Sequence, residues 1–359
     1  MSADFRISPA RLQGFAIDLF ERAGLPAEHA AIIGHDLVAA DLRGLASHGV
    51  SRIPMYLERL RRGVVNPRPR IGISRITPAV SLVDGDEGMG FLVAHTAMSE
   101  AIDLARAVGI GLVGVHRSTH FGMSALYVRQ AMDAGFISLV FTNSSPALPV
   151  WGGRTPFLGA APIAAGVPGG RHPGYLLDMA MTGIARGKIR LAARHGTPID
   201  LGLALDTDGA PTRDAAKAFE GVCLPFGGHK GAALAMLMDL LCGVFTGANF
   251  GGAVKSLYFD HSGPQNVGHL LLVVRRDLFM SKEEFDHRMD TFVERAKACP
   301  RASQFDDIQM PGEPEDRRET VLRHEGIPLS PEVLSDLDAE ADRLGAARLA
   351  RDSPGCTET

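Results

Sequence analysis

At 359 residues the chain is longer than one hydrophobic core usually supports, so two domains are the default. Its 45% hydrophobic and 22% charged residues are those of an ordinary globular protein, and a net charge of −4 gives no field that would draw in nucleic acid or a membrane surface. Any anionic ligand must be attracted locally.

The start, MSADFRISPARLQGF, lacks the basic segment and apolar stretch of a signal peptide, and no apolar run reaches membrane-spanning length. Cys223, Cys242, Cys299 and Cys356 have neither the close pairing of a zinc site nor the density of a disulfide scaffold. A cytoplasmic protein with free buried thiols and no bound metal is expected.

Ser8-Pro9 reads as a helix start, with Leu12, Phe15, Ala16, Leu19 and Phe20 at helical spacing up to Gly24. Pro26 opens a second helix toward Gly44, and a third is predicted from Ser51 to Arg62, stopped by Gly63. From Arg70 the texture changes. RIGISRI and AVSLV read as strands, and Gly90–Ala107 as a helix. Strand-like runs at Gly111–Val115, Ile137–Thr142 and Tyr175–Met181 then alternate with helical ones at Met123–Ala134, Thr182–His195 and Gly231–Phe245. After a strand near Leu270, helices return at Glu283–Ala298 and Pro331–Leu349, which places the C-terminal region back on the N-terminal helices. The expected division is a helical part at 1–72, an α/β part at 73–280, a second helical part at 281–350 and a frayed tail at 351–359.

Gly109-Ile-Gly-Leu-Val-Gly114 matches the GxGxxG fingerprint, but a helix precedes these glycines and a strand contains them. The fingerprint needs the reverse order, so that a helix N-terminus meets the pyrophosphate, and the match reads as a helix-to-strand turn. Phe226-Gly-Gly-His-Lys-Gly231 fails the Walker spacing, yet its lysine sits where a long apolar helix begins. A cation is disfavoured at that helix end unless an anion is present, which marks an anion site. Asp178, inside YLLDMAM, needs a partner such as a salt bridge or backbone hydrogen bonds.

The densest polar chemistry is Asp41-Leu-Arg-Gly-Leu-Ala-Ser-His-Gly-Val-Ser-Arg52. Arg52 and Tyr56 are four apart and share a helix face as candidate substrate ligands, with His48 just ahead. An arginine can grip a carboxylate bidentately, and a histidine can move a proton near neutral pH. A direct Ser47–His48 pairing requires non-helical geometry, which Gly49 permits. His120-Phe-Gly and Thr142-Asn-Ser-Ser-Pro follow strands and can line one cleft.

Taken in order, DLRGLASHGVSR, STHFG, FTNSSP, WGG, LLDMA, LPFGGHKG and MPGEPE resemble the type 2 malate/L-lactate dehydrogenase family over residues 10–345. The resemblance implies an α+β fold: a non-Rossmann NAD(P)-binding domain with a mixed, largely antiparallel sheet, plus a helical domain from both chain ends, in a homodimer. It implies an NAD- or NADP-dependent oxidoreductase acting beside the carboxylate of a small 2-hydroxy or 2-oxo acid, with reduction of cyclic imines such as piperideine- or pyrroline-2-carboxylate as the alternative. By motif, His48 with Ser47 is similar to the proton carrier, His120 is its rival, and Arg52 resembles the carboxylate ligand. His120, Phe121, Gly122, Met123, Ser124, Ser144, Asp178, Met179, Ala180, His229, Lys230 and Gly231 correspond to cofactor contacts. Two departures bear on substrate: Gly159-Ala-Ala-Pro162 stands where the family usually reads GTNP, and Lys188 where the imine-reducing branch tends to carry an acid. The alanines admit a third reading, an acid-binding protein without turnover.

Overall fold

The computed structural model describes residues 5–349. Strand β1 (Phe5–Ile7) leads into α1 (Pro9–Arg22), where Pro9 occupies the first turn and the five predicted apolar positions are buried. Helix α2 (Ala27–Leu42) is almost wholly buried toward its C-terminal half. Two short 3-10 turns, Ala46–His48 and Val50–Arg52, then replace the start of the predicted third helix, and α3 (Ile53–Arg61) begins with Pro54 in its first turn.

Next come β2 (Gly72–Thr77), β3 (Val80–Asp84), α4 (Gly90–Val108), β4 (Ile110–Ser118), α5 (Ala125–Asp133), β5 (Phe136–Thr142), β6 (Ile163–Val167) and β7 (Tyr175–Met179). They are followed by α6 (Arg186–His195), β8 (Ala204–Leu205), α7 (Ala215–Glu220), β9 (Val222–Cys223), α8 (His229–Asp239) and β10 (Val267–Arg275). The chain closes with α9 (Lys282–Lys297), α10 (Glu313–Glu325), β11 (Ile327–Leu329) and α11 (Pro331–Leu344). Helix α8 continues into a π turn at Leu240–Val244, which accounts for the longer helix predicted there.

Seven strands form one sheet in the order β2-β3-β4-β10-β5-β6-β7. Only β3 and β4 pair in parallel; the other five pairings are antiparallel. The sheet is thus mixed and largely antiparallel, as the resemblance implied. The GxGxxG segment is a helix-to-strand turn, with α4 ending at Val108 and β4 starting at Ile110. Ala97 and Ala101 of α4 pack on Val113 and Val115 of β4 and Leu271 and Val273 of β10. Small helical residues let helix and sheet approach closely.

The helical region draws on both chain ends. β1 pairs antiparallel with β11, and Leu12, Leu19, Ile33 and Leu57 share one core with Leu334, Leu337 and Ala341. Helix α10, absent from the sequence reading, sits against α2 through charge: its buried Glu319 takes hydrogen bonds from Arg43, Arg129 and Arg323. Helix α9 is held elsewhere, its Asp290 accepting the Arg171 and His172 N–H groups of the β6–β7 loop. Cys223 and Cys242 are buried free thiols, Cys299 is exposed, and Cys356 and the expected frayed tail lie outside the described residues.

Candidate active site

The last turn of α2 supplies Asp41, 5% exposed, whose carboxylate accepts the Val50 N–H at 2.8 Å. The chain passes so close that a Cβ on Gly49 would lie 2.1 Å from the carboxylate oxygen, so only glycine fits. Burial pushes the Asp41 pKa up to about 7. This anchored turn presents Ser47, His48 and Arg52. Ser47 Oγ lies 3.0 Å from His48 Nδ1, a pairing that the tight 3-10 geometry brings about. Arg52 donates through Nε to the Ser47 carbonyl and lies over the Tyr258 ring at 5.1 Å. Among the described residues Arg52 has no carboxylate partner. Tyr258, which sequence reasoning missed, is carried on a loop fastened by buried Arg59 to the carbonyls of Ser256 and Asp260.

His120 arrives from the opposite side, just past β4. Its Nδ1 lies 2.7 Å from the Tyr56 hydroxyl and 3.3 Å from the Gly122 nitrogen. A backbone N–H can only donate, so Nδ1 accepts and the ring proton of the neutral imidazole sits on Nε2. The His48 and His120 rings lie 5.8 Å apart, 21° from parallel. Burial, then the charge of Arg52, holds the His48 pKa down to about 4. Burial, then His48 and Arg52, holds His120 well below the ordinary histidine range. Both imidazoles are therefore neutral near pH 7 in this state.

The remaining predicted residues fall into linked groups. Phe121 stacks on buried His269, another residue the sequence reading passed over. Met123 and Ser124 are buried at the start of α5, and Asp178 on β7 accepts the Ala125 N–H at 2.8 Å. The partner Asp178 needed is thus backbone at a helix N-terminus; burial still pushes its pKa up to about 6. Met179 is half-buried and Ala180 exposed. Ser144 Oγ accepts the Ala160 N–H at 3.0 Å, tying together the two loops that follow the predicted strand ends. Buried Ala161 has φ +45°, a left-handed conformation uncommon outside glycine and asparagine.

From β7 the chain runs to Met181, whose carbonyl accepts the Phe226 N–H at 2.9 Å and so places the turn before α8. Gly227 and Gly228 have φ +60° and +64°, which the reversal requires. His229 meets Trp151 edge-on at 5.8 Å, and exposed Lys230 stands in the first turn of α8 without an acid partner among the described residues. A cleft of about 450 Å³ is lined by Trp151, Leu224 and Phe226–Gly228. Among the described residues no hydrogen bond joins this turn directly to the His48–Arg52 corner. Lys188 is exposed on α6.

Residues 7–338 match the malate/L-lactate dehydrogenase family. The L-sulfolactate dehydrogenase of Methanocaldococcus jannaschii is 37% identical over 342 residues, 94% of this chain and 97% of that one. A solved sulfolactate dehydrogenase from that organism superposes with a TM-score of 0.90 at 37% identity, covering 95% of this chain and 98% of the other. The δ1-piperideine-2-carboxylate reductase of Pseudomonas syringae pvar. tomato gives 0.84 at 28% identity, covering 94% and 99%. Relatives at 33% identity are named for NAD(+) and for NADP(+). Fold and relatives define an NAD(P)-dependent oxidoreductase of small hydroxy acids, built on a largely antiparallel sheet. The chain belongs to the malate/L-lactate dehydrogenase family.

Proposed function

We propose that the substrate is a small 2-hydroxy acid of the malate or sulfolactate kind, held by Arg52 through its carboxylate, with His48 taking the hydroxyl proton during oxidation. The observation that carries this reading is the half-buried Arg52 guanidinium, which has no acid partner among the described residues, beside a neutral imidazole. Ser47 can donate to or accept from His48, so this ring is free to exchange a proton. The backbone donor on His120 fixes that ring's tautomer instead. His120 then presents Nε2–H to the oxygen on the reacting carbon, and Tyr56 supports it. A bound carboxylate would offset the charge of Arg52 and raise the His48 pKa toward neutrality.

The chain fits a nicotinamide cofactor at the turn before α8, where a lysine with no acid partner among the described residues, paired left-handed glycines and the N–H groups of a helix start favour phosphate. When bound, the cofactor supplies hydride acceptance and return; Lys230 and Gly231 hold it, and His120–Ser124, Ser144 and Asp178–Ala180 orient it. We also propose a homodimer, since Leu234, Leu237, Leu240, Val244 and Phe245 leave an apolar row exposed along and beyond α8. Sedimentation velocity reads this directly, and a monomer would remove it.

The test of substrate class follows nicotinamide absorbance over a panel of 2-hydroxy acids, 2-oxo acids and cyclic imines with both cofactors. Arg52→Lys should cut kcat/KM for the acid about ten- to a hundredfold, because an ammonium cannot match the planar fork. Wild-type kinetics in that variant would make Arg52 structural, and turnover of imines alone would shift the reaction to the alternative.

A further inference from the structure

We propose that Tyr127, wholly buried on α5, is a positioning residue for His120, acting through the single peptide plane between Phe121 and Gly122. This rests on the reading of His120 as part of the reaction site. The Tyr127 hydroxyl donates to the Phe121 carbonyl, and the Gly122 N–H of the same peptide unit points to His120 Nδ1 at 3.3 Å. A trans peptide is rigid, with C=O and N–H directed oppositely, so gripping one end aims the other. The grip thereby fixes which ring nitrogen carries the proton.

Both ends of this lever are immobilised. The Phe121 ring lies flat on His269, centroids 4.5 Å apart and planes 8° apart, and 4.9 Å from the Tyr127 ring. His269 bridges Thr142 at 2.7 Å and Ser118 at 2.8 Å, across the strands on either side of it. The Thr142 proton goes to the Asn143 or Gly268 carbonyl, so its oxygen accepts Nδ1–H of His269. On its other side Tyr127 meets the edge of His95 at 4.9 Å, and His95 is held between Asp36 at 2.8 Å and Gln130 at 2.7 Å. Tyr127 and His269 are each 0% exposed, so neither can act by touching substrate. A buried hydroxyl needs an acceptor, but its position on the one carbonyl behind the His120 lever gives it a second consequence.

Nitrogen NMR of the wild-type side chains comes first and needs no variant: His120 should show the Nε2–H tautomer, and the Nδ1–H form would overturn the proposal. Tyr127→Phe keeps the ring and removes only the donor. In the folded variant the His120 nitrogen signals should move toward a tautomer mixture, and kcat should fall about threefold, less than the loss of His120 itself would cost. KM for the acid and cofactor affinity should stay within about twofold. Unmoved His120 nitrogens in a folded Tyr127→Phe would sink the proposal. Moved nitrogens with unchanged kcat would uphold the positioning and remove His120 from the reaction.

Discussion

The corner around His48 and the turn before α8 both use glycine to bring backbone near a charge, with opposite outcomes. At Gly49 the missing Cβ lets the Asp41 carboxylate close onto Val50, and the backbone of the corner is fixed by an acid of the chain itself. At Gly227 and Gly228 the backbone turns outward beneath an exposed lysine, and the charge stays unmatched until something anionic arrives. On the proposed reading the backbone of the reaction corner is preorganised and only Arg52 awaits the substrate, whereas the anchoring turn would be organised by its ligand.

The largest effect expected from that contrast is on chemistry at the corner. His48→Asn should slow turnover about 10²–10⁴-fold and abolish the pH dependence due to an imidazole, while calorimetry finds cofactor affinity unchanged. His120→Asn should lose only about tenfold, one hydrogen bond. The reverse pattern would hand the proton to His120.

Stability should show the cost of closing the corner on a carboxylate. The folded pKa of Asp41 is raised from 3.8 to about 7, so the proton is held more tightly folded than unfolded. Its stabilising contribution is complete below pH 3.8 and is lost as pH climbs through about 7. Asp41→Asn keeps an acceptor for Val50 and cannot ionise, so it should match wild type near pH 4 and exceed it near pH 8 by on the order of a few kcal/mol. Parallel denaturation curves at both pH values measure this. An advantage that does not grow with pH would mean Asp41 stays charged.

The turn should behave differently. Lys230→Ala should weaken NADH or NADPH binding about tenfold and leave the ligand-free fold as stable or slightly more so, since the cation is disfavoured at the start of α8 and has no acid partner among the described residues. Unchanged affinity for both would remove Lys230 from the site. The smallest effect belongs to Ala161, left-handed and buried between the two groups of loops: Ala161→Gly should stabilise by about 0.5–1 kcal/mol in chemical denaturation. Destabilisation would show that the alanine methyl packs more than its backbone strains.

The segments legible in sequence were those with a local signal. The apolar spacing of α1, the helix order around GxGxxG and the lysine at a helix start each follow from neighbours in the chain, and the family motifs supplied the mixed sheet. Helix α10 was invisible because its inward face is Glu319, buried against three arginines, where an apolar stripe would announce a helix. Strand β6, IAAGV, has no alternation to read. Tyr258 and His269 owe their places to Arg59 and to the pairing of β10 between β4 and β5, contacts made far along the chain.

The three-residue ladder between β1 and β11 also orders events in time. Phe5 leaves the ribosome more than three hundred residues before Leu329, its partner in the register, so α1 to α3 must wait for that stretch to be made with part of their apolar face uncovered. Closing so long a loop is entropically slow and is favoured only once α11 can add its core contacts. The growing chain therefore has its greatest exposure to aggregation just before β11 and α11 emerge.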